Sequence, residues 1–292
     1  MAGFRSVKKY AEAWDAGRSH TAYFRKVPFS TNNGFYDMSM YGGGPPANYY
    51  ASTPLESAVL NPLKGIFHGD NKSPSKKYLS RISICCDPLS NPGAGNIMLC
   101  DYVMYYPFID MDDLSTQTMT NSVTLPRYES GEGVMVMAVC TSTSVTAGGN
   151  FTFEYVNQDG VTKTSPTIYC PPVTSLLSSM IVTGTIGQAS ATYTPTGAFL
   201  PLAHGDRGVR QINSVTFAIA NGGLLALVLI KPLVNLFHNE RYVQIEKEIG
   251  TGWPSQVEIK DGAFLNFVRR SQAQASSLGF TGMIETIWDE GT

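Results

Sequence analysis

From about Tyr78 the apolar positions fall on every second residue. Ile82, Ile84 and Cys86 alternate with Arg81, Ser83 and Cys85 until Asp87-Pro88 stops the run. Successive strand side chains point to opposite faces, so this pattern predicts a half-buried strand. Residues 134–140 form a continuous apolar run of β type, and Ala147-Gly148-Gly149-Asn150 joins the Thr/Ser stretch after it to residues 151–156 in a hairpin-like pattern. Asp159-Gly160 is a favoured type I′ pair, which should return residues 161–167 antiparallel to the strand before them. The clearest hairpin lies later, where residues 212–219 turn at Asn221-Gly222-Gly223 into residues 224–230, apolar on both faces. Such a strand must be covered on both sides, so this hairpin is expected at the centre of the main sheet. Residues 282–288 read as a last strand.

Helical signals are few. Thr53-Pro54-Leu55-Glu56 has the form of a capping box with proline at the first helical position, predicting a short helix that Asn61-Pro62 ends. Ala263, Phe264, Phe267 and Val268 share a helical spacing up to Arg269-Arg270. Near the start, residues 1–40 are rich in aromatics but broken by Gly17, Pro28 and Gly34, and Gly42-Gly43-Gly44-Pro45-Pro46 follows. Glycine and proline at this density sustain neither a helix nor a central strand. We therefore expect residues 1–50 to be an extended N-terminal arm and residues 51–292 to be one β-rich body. Strands joined by short glycine turns, with no βαβ alternation, predict a mainly β fold: an antiparallel β-sandwich or jelly-roll-like body with a few short helices.

Composition changes this picture in one respect. Charged residues are only 15% of the 292, with Lys+Arg 21 against Asp+Glu 23 and a net charge of −2. Phosphate-driven nucleic-acid binding has no electrostatic basis at that balance, and 43% hydrophobic residues exclude a disordered chain. A surface so poor in charge is either uncharged and polar or buried against other subunits, since a net charge near zero promotes association. No apolar h-region follows the first residues and no apolar run approaches the roughly 20 residues of a membrane span, so a cytosolic protein is expected. Five cysteines without CxxC spacing are expected to be reduced and mostly buried.

Candidate chemistry is sparse. Four histidines show no metal-ligand spacing, and no G-x-S-x-G nucleophile elbow occurs. His68-Gly69-Asp70 and His204-Gly205-Asp206 read as turns, although His204, Asp206 and Arg207 are the residues a hydrolase would use. Asp110, Asp112 and Asp113, with Asp101 upstream, could offer a cation hard oxygen ligands but lack EF-hand spacing. Gly42-Gly43-Gly44 lacks the Lys-Ser/Thr of a P-loop. No cofactor is indicated.

What is distinctive is a set of aromatic and turn-rich segments: residues 99–110 (LCDYVMYYPFID), Leu125-Pro126-Arg127-Tyr128, Gly131-Glu132-Gly133-Val134, Lys231-Pro232-Leu233 and Asp261-Gly262-Ala263-Phe264-Leu265. In order and spacing these resemble structural proteins of tailed-bacteriophage virions over roughly residues 35–290. The resemblance implies a virion subunit, on the head as a capsid or capsid-stabilising protein, assembled in the host cytoplasm. Its partners would be copies of itself and other virion proteins, with no direct nucleic-acid contact and no membrane. It carries no active-site residues over. A tail or appendage protein binding a host receptor or carbohydrate is the alternative. Tyrosine is enriched at buried interfaces, so the candidate interface residues are Trp14, Tyr23, Phe24, Tyr36, Tyr49 and Tyr50 in the arm, with Tyr102, Tyr105 and Tyr106 in the body.

Overall fold

The alternating and continuous apolar runs become strands, and every strand pairing among the described residues is antiparallel. The computed structural model describes residues 4, 6–27, 34–86, 95–142, 149–170, 180–182, 197–238, 243–248, 256–271 and 279–289. The chain opens with α1 (Val7–Asp15), β1 (Ser19–Lys26), β2 (Gly34–Asp37), β3 (Gly43–Gly44) and β4 (Ala58–Val59). There follow β5 (Lys77–Cys86), β6 (Gly95–Asp110), β7 (Gln117–Thr118), β8 (Met135–Cys140) and β9 (Gly149–Asn157). The next strands are β10 (Thr162–Thr164), β11 (Ile168–Cys170), β12 (Met180–Val182), β13 (Val209–Phe217) and β14 (Leu224–His238). The last are β15 (Gln244–Glu248), β16 (Glu258–Ile259), β17 (Leu265–Ser271) and β18 (Phe280–Trp288).

Three sheets result. The first runs β15-β5-β18-β1-β3 with β16 beside β5, and the second runs β10-β9-β13-β7 with β11 beside β9. The third runs β14-β8-β12-β2-β17-β6, and β6 pairs back onto β14, closing a six-stranded barrel with β4 added outside the ring on β6. The protein is a mainly β, antiparallel, sandwich and jelly-roll-like body in which one layer has closed on itself.

Closure explains the hydrophobic pattern. Ala226, Val228 and Ile230 of β14 pack with Met137 and Val139 of β8 and Ile181 of β12 in one cluster, the filled interior expected of so narrow a barrel. Leu225, Leu227 and Leu229 alternate with them and join a second cluster with Phe24, Ile82 and Ile284 of the first sheet and Phe151, Val215 and Phe217 of the second. Both open sheets thus pack on the outside of the barrel and share one core. Register shifts between β14 and β6 turn Val103 and Met104 both outward and return Tyr105 to the interior. Bulges of this kind supply the extra bend that closure needs.

Several expectations are corrected. Residues 53–61 form no helix: Leu55 has φ 57°, its N–H donates to Pro107 O, its carbonyl accepts from Thr120, and β4 pairs with Met104 and Tyr105. Ala263, Phe264, Phe267 and Val268 lead into and lie on strand β17, whose two faces are both buried, so its apolar positions imitate a helical period. The two long hairpins do not form. β8 belongs to the barrel and β9 to the second sheet, with residues 143–148 of their connection outside the described residues. β13 and β14 are each central in their own sheet, but Asn221-Gly222-Gly223 carries the chain from one sheet to the other. Residues 162–164 do return along β9 as expected, although only Gly160 (φ 78°) has positive φ at that turn, which is a type I turn with a glycine bulge.

The arm is also corrected. β1 lies between β18 and β3, and β2 completes the barrel between β12 and β17. α1, capped by Ser6, lays Ala13, Tyr10 and Trp14 on Tyr78 and Ile287 of the first sheet. Phe24, Phe35, Tyr36 and Tyr50 of this segment build the chain's own core, because strand partners arrive from far along the chain.

Candidate functional site

A buried polar cluster in the barrel is built on Asp37, the last residue of β2. Asp37 is fully buried and accepts hydrogen bonds from the Tyr102 hydroxyl (2.8 Å), the Ser39 amide (2.8 Å), the Ser39 hydroxyl (2.9 Å) and the Tyr50 hydroxyl. Burial pushes the Asp37 carboxyl above its ordinary value, and these donors pull it back only in part. Burial and the neighbouring carboxylate push both phenols well above theirs. Buried Lys26, at the end of β1, donates to Tyr41 O at 3.1 Å and Pro45 O at 3.2 Å, and burial lowers its pKa to about 8 against the pull of Asp37. With every oxygen of Asp37 occupied by the chain's own donors, this cluster fixes the barrel's packing.

A second polar group ties the loop after β4 to the turn before β17. His68 is buried with Nε2 at 3.0 Å from Ala263 O, so Nε2 carries the proton. Burial first, and then the nearby Lys77, lowers its pKa to about 4. The Asp261 carboxylate accepts the amides of Lys72 and Ser73, and Lys77 donates to Gly69 O and Asp70 O. Beside this junction a cleft of about 600 Å³ is bounded by residues 73–77, 126–129 and 258–261. Its charges are largely paired: Lys76 and Lys260 both meet Glu258, and Arg127 grips buried Asp101 through two bonds of 2.9 and 2.7 Å.

Most of the residues named from sequence as interface candidates prove to be core. Phe24, Tyr36, Tyr50, Tyr102, Tyr105 and Tyr106 are buried within the chain, and Trp14, on α1, is half-buried against Tyr78 and Ile287 of the first sheet. Tyr106 instead joins barrel to second sheet, donating to Asn121 Oδ1 at 2.6 Å and accepting the Ile212 amide. Two are exposed: Tyr23 at 79% and Tyr49 at 67%. Leu63, at 81%, was missed, as no pattern in a Pro-Leu-Lys turn marks it as apolar surface. Asp206 accepts from Tyr155 and Asn157 and clamps its own loop. Asp110, Asp112 and Asp113 each accept from a backbone amide, as turn residues do. Among the described residues no group of three or more His, Cys, Asp or Glu is placed to hold a metal.

Fold and site together define an antiparallel β protein whose interior is filled. The chain matches no protein-family model and no curated protein. Among solved structures it is similar to the VP2 subviral particle of infectious bursal disease virus, at 9% identity and TM-score 0.18, covering 93% of this chain and 80% of that one. The Gt strain of the same virus gives 9% identity and TM-score 0.17 over the same shares. Likeness at these TM-scores carries no argument about this chain.

Proposed function

We propose that this chain is a structural subunit of a virus particle, of the tailed-bacteriophage kind that its sequence resembles. It serves on the head as a capsid or capsid-stabilising protein, is assembled in the host cytoplasm, and acts by binding copies of itself and neighbouring virion proteins without catalysis. The observation that carries this reading is bulky apolar side chains left on the surface of a body whose barrel and shared core are already filled: Leu63, Tyr23 and Tyr49 are more than 60% exposed. Charged residues are only 15% of the chain, and a surface poor in charge that carries bulky apolar side chains favours association. Receptor or carbohydrate binding would call for free aromatic platforms. Trp14 is half-buried against the first sheet and Lys72 lies 4.1 Å over the Trp288 ring, while Trp253 falls outside the described residues. Sedimentation velocity and electron microscopy of the purified full chain test the reading. Ordered oligomers or particles are expected, and a strict monomer at all concentrations overturns it.

A further inference from the structure

The first sheet turns one face to the shared core, and α1 covers only part of the other, over Tyr78 and Ile287. Beyond the helix, Thr21, Tyr23, Arg25, Thr281 and Glu246 of that outer face are exposed, Met283 is half-buried and the small Ser83 is buried among its neighbours. Strand register sets Tyr23 beside Met283, Met283 beside Ser83 and Ser83 beside Glu246, in one row across β1, β18, β5 and β15. Two residues to one side of this row lies Arg25, beside Thr281, and two residues to the other side Thr21 lies beside Glu285. Among the described residues Arg25 has no ion pair. It stands four residues along the sheet from Glu285, about 14 Å, and cannot reach it within the chain. Glu285, Glu246 and Glu248 share the single guanidinium of Arg81, at 3.8, 3.1 and 3.1 Å, so that end of the face keeps negative charge.

We propose that a second copy of this chain packs face to face on this open surface, about a two-fold axis lying across the strands through the Tyr23–Met283 row. This rests on the self-association reading above and names its surface. The direction of the axis follows from the helix. An α-helix with side chains is about 10 Å thick, the same as the spacing of stacked sheets, so copies with α1 at the same end would collide. Rotation about the Tyr23 row sends the two helices to opposite ends. It also exchanges the positions two residues on either side, bringing Arg25 of each copy over Thr21 of the other, where Glu285 stands beside it on the neighbouring strand within reach of the guanidinium. Tyr23 meets its own mate at the axis, as a self-complementary two-fold contact requires, and supplies the apolar centre with a charged rim.

Sedimentation velocity on the full chain tests this, with circular dichroism as the check on folding. Arg25→Glu and Tyr23→Arg should each weaken association about tenfold or more, a typical loss for a central contact. The double variant Arg25→Glu/Glu285→Arg should regain it, because both reversed pairs are again opposite in sign. Folded Arg25→Glu and Tyr23→Arg variants that associate like the wild type overturn the surface while leaving self-association standing. Loss without recovery in the double variant overturns the Arg25–Glu285 pairing. A wild-type chain that stays monomeric overturns both this surface and the reading it rests on.

Discussion

Oδ1 of Asp37 accepts the Tyr102 hydroxyl at 2.8 Å inside the barrel, joining β2 to β6 across 65 residues of chain. The same hydroxyl stands 2.9 Å from Phe267 O on β17, so three adjacent barrel strands meet at one phenol. Tyr102→Phe keeps the ring and leaves a buried carboxyl short of a donor, which should cost about 1–3 kcal/mol in urea unfolding. Because the folded pKa of Asp37 is raised, the native state holds this proton longer than the unfolded chain does, and stability from this group falls as pH rises above about 3.8. Asp37→Asn should flatten that part of the pH–stability curve.

His68 gives the opposite slope. Its folded pKa of about 4 lies below the 6.5 of the free side chain, so the unfolded chain takes the proton first as pH falls. Stability should be complete above pH 6.5 and decline toward pH 4, by roughly 3 kcal/mol from this group. His68→Gln should remove most of that decline in melting curves measured across the window. An unchanged slope in the variant would place the acid sensitivity elsewhere.

Leu227 sits on β14 with its side chain in the layer between barrel and sheets, 1% exposed. Leu227→Asp puts an unpaired charge there at a cost of several kcal/mol. Insoluble or unassembled protein is the expected outcome. A soluble, folded variant would show that this face of β14 is uncovered.

Of five free thiols, Cys86, Cys100, Cys140 and Cys170 are buried and Cys85 is half-buried on the outer face of the first sheet. Burial also pushes the Cys140 and Cys170 thiols up to about 12, which suppresses the reactive thiolate. Native alkylation followed by mass spectrometry should therefore modify Cys85 first and alone at short times. Cys85→Ser should abolish the early product. The face-to-face dimer proposed above should also slow labelling of Cys85 as protein concentration rises.

Much of this β body was legible in the chain because local chemistry and burial agreed there. The alternation of Ile82, Ile84 and Cys86 names the face of β5 that enters the core, and the unbroken apolar run of β14 announces a strand covered on both sides. At Asp159-Gly160 a glycine free to take positive φ sets the turn before any distant contact exists.

What the chain left open is which strands pair. Asn221-Gly222-Gly223 looks like a hairpin turn, yet β13 finds β9 and β14 finds β6, since loop chemistry fixes a change of direction and not the sheet that receives the next strand. The aromatic start of the chain reads as an arm for the same reason: its partners, β17 and β18, lie about 230 or more residues away. A strand buried on both faces carries no period of two, so β17 imitates a helix until Tyr102 and Phe35 are beside it. Sequence alone therefore determined the β class and the apolar rows, whereas closure of the barrel, and with it the decision that Tyr102 lies inside and Tyr23 outside, belongs to long-range pairing and the packing it permits.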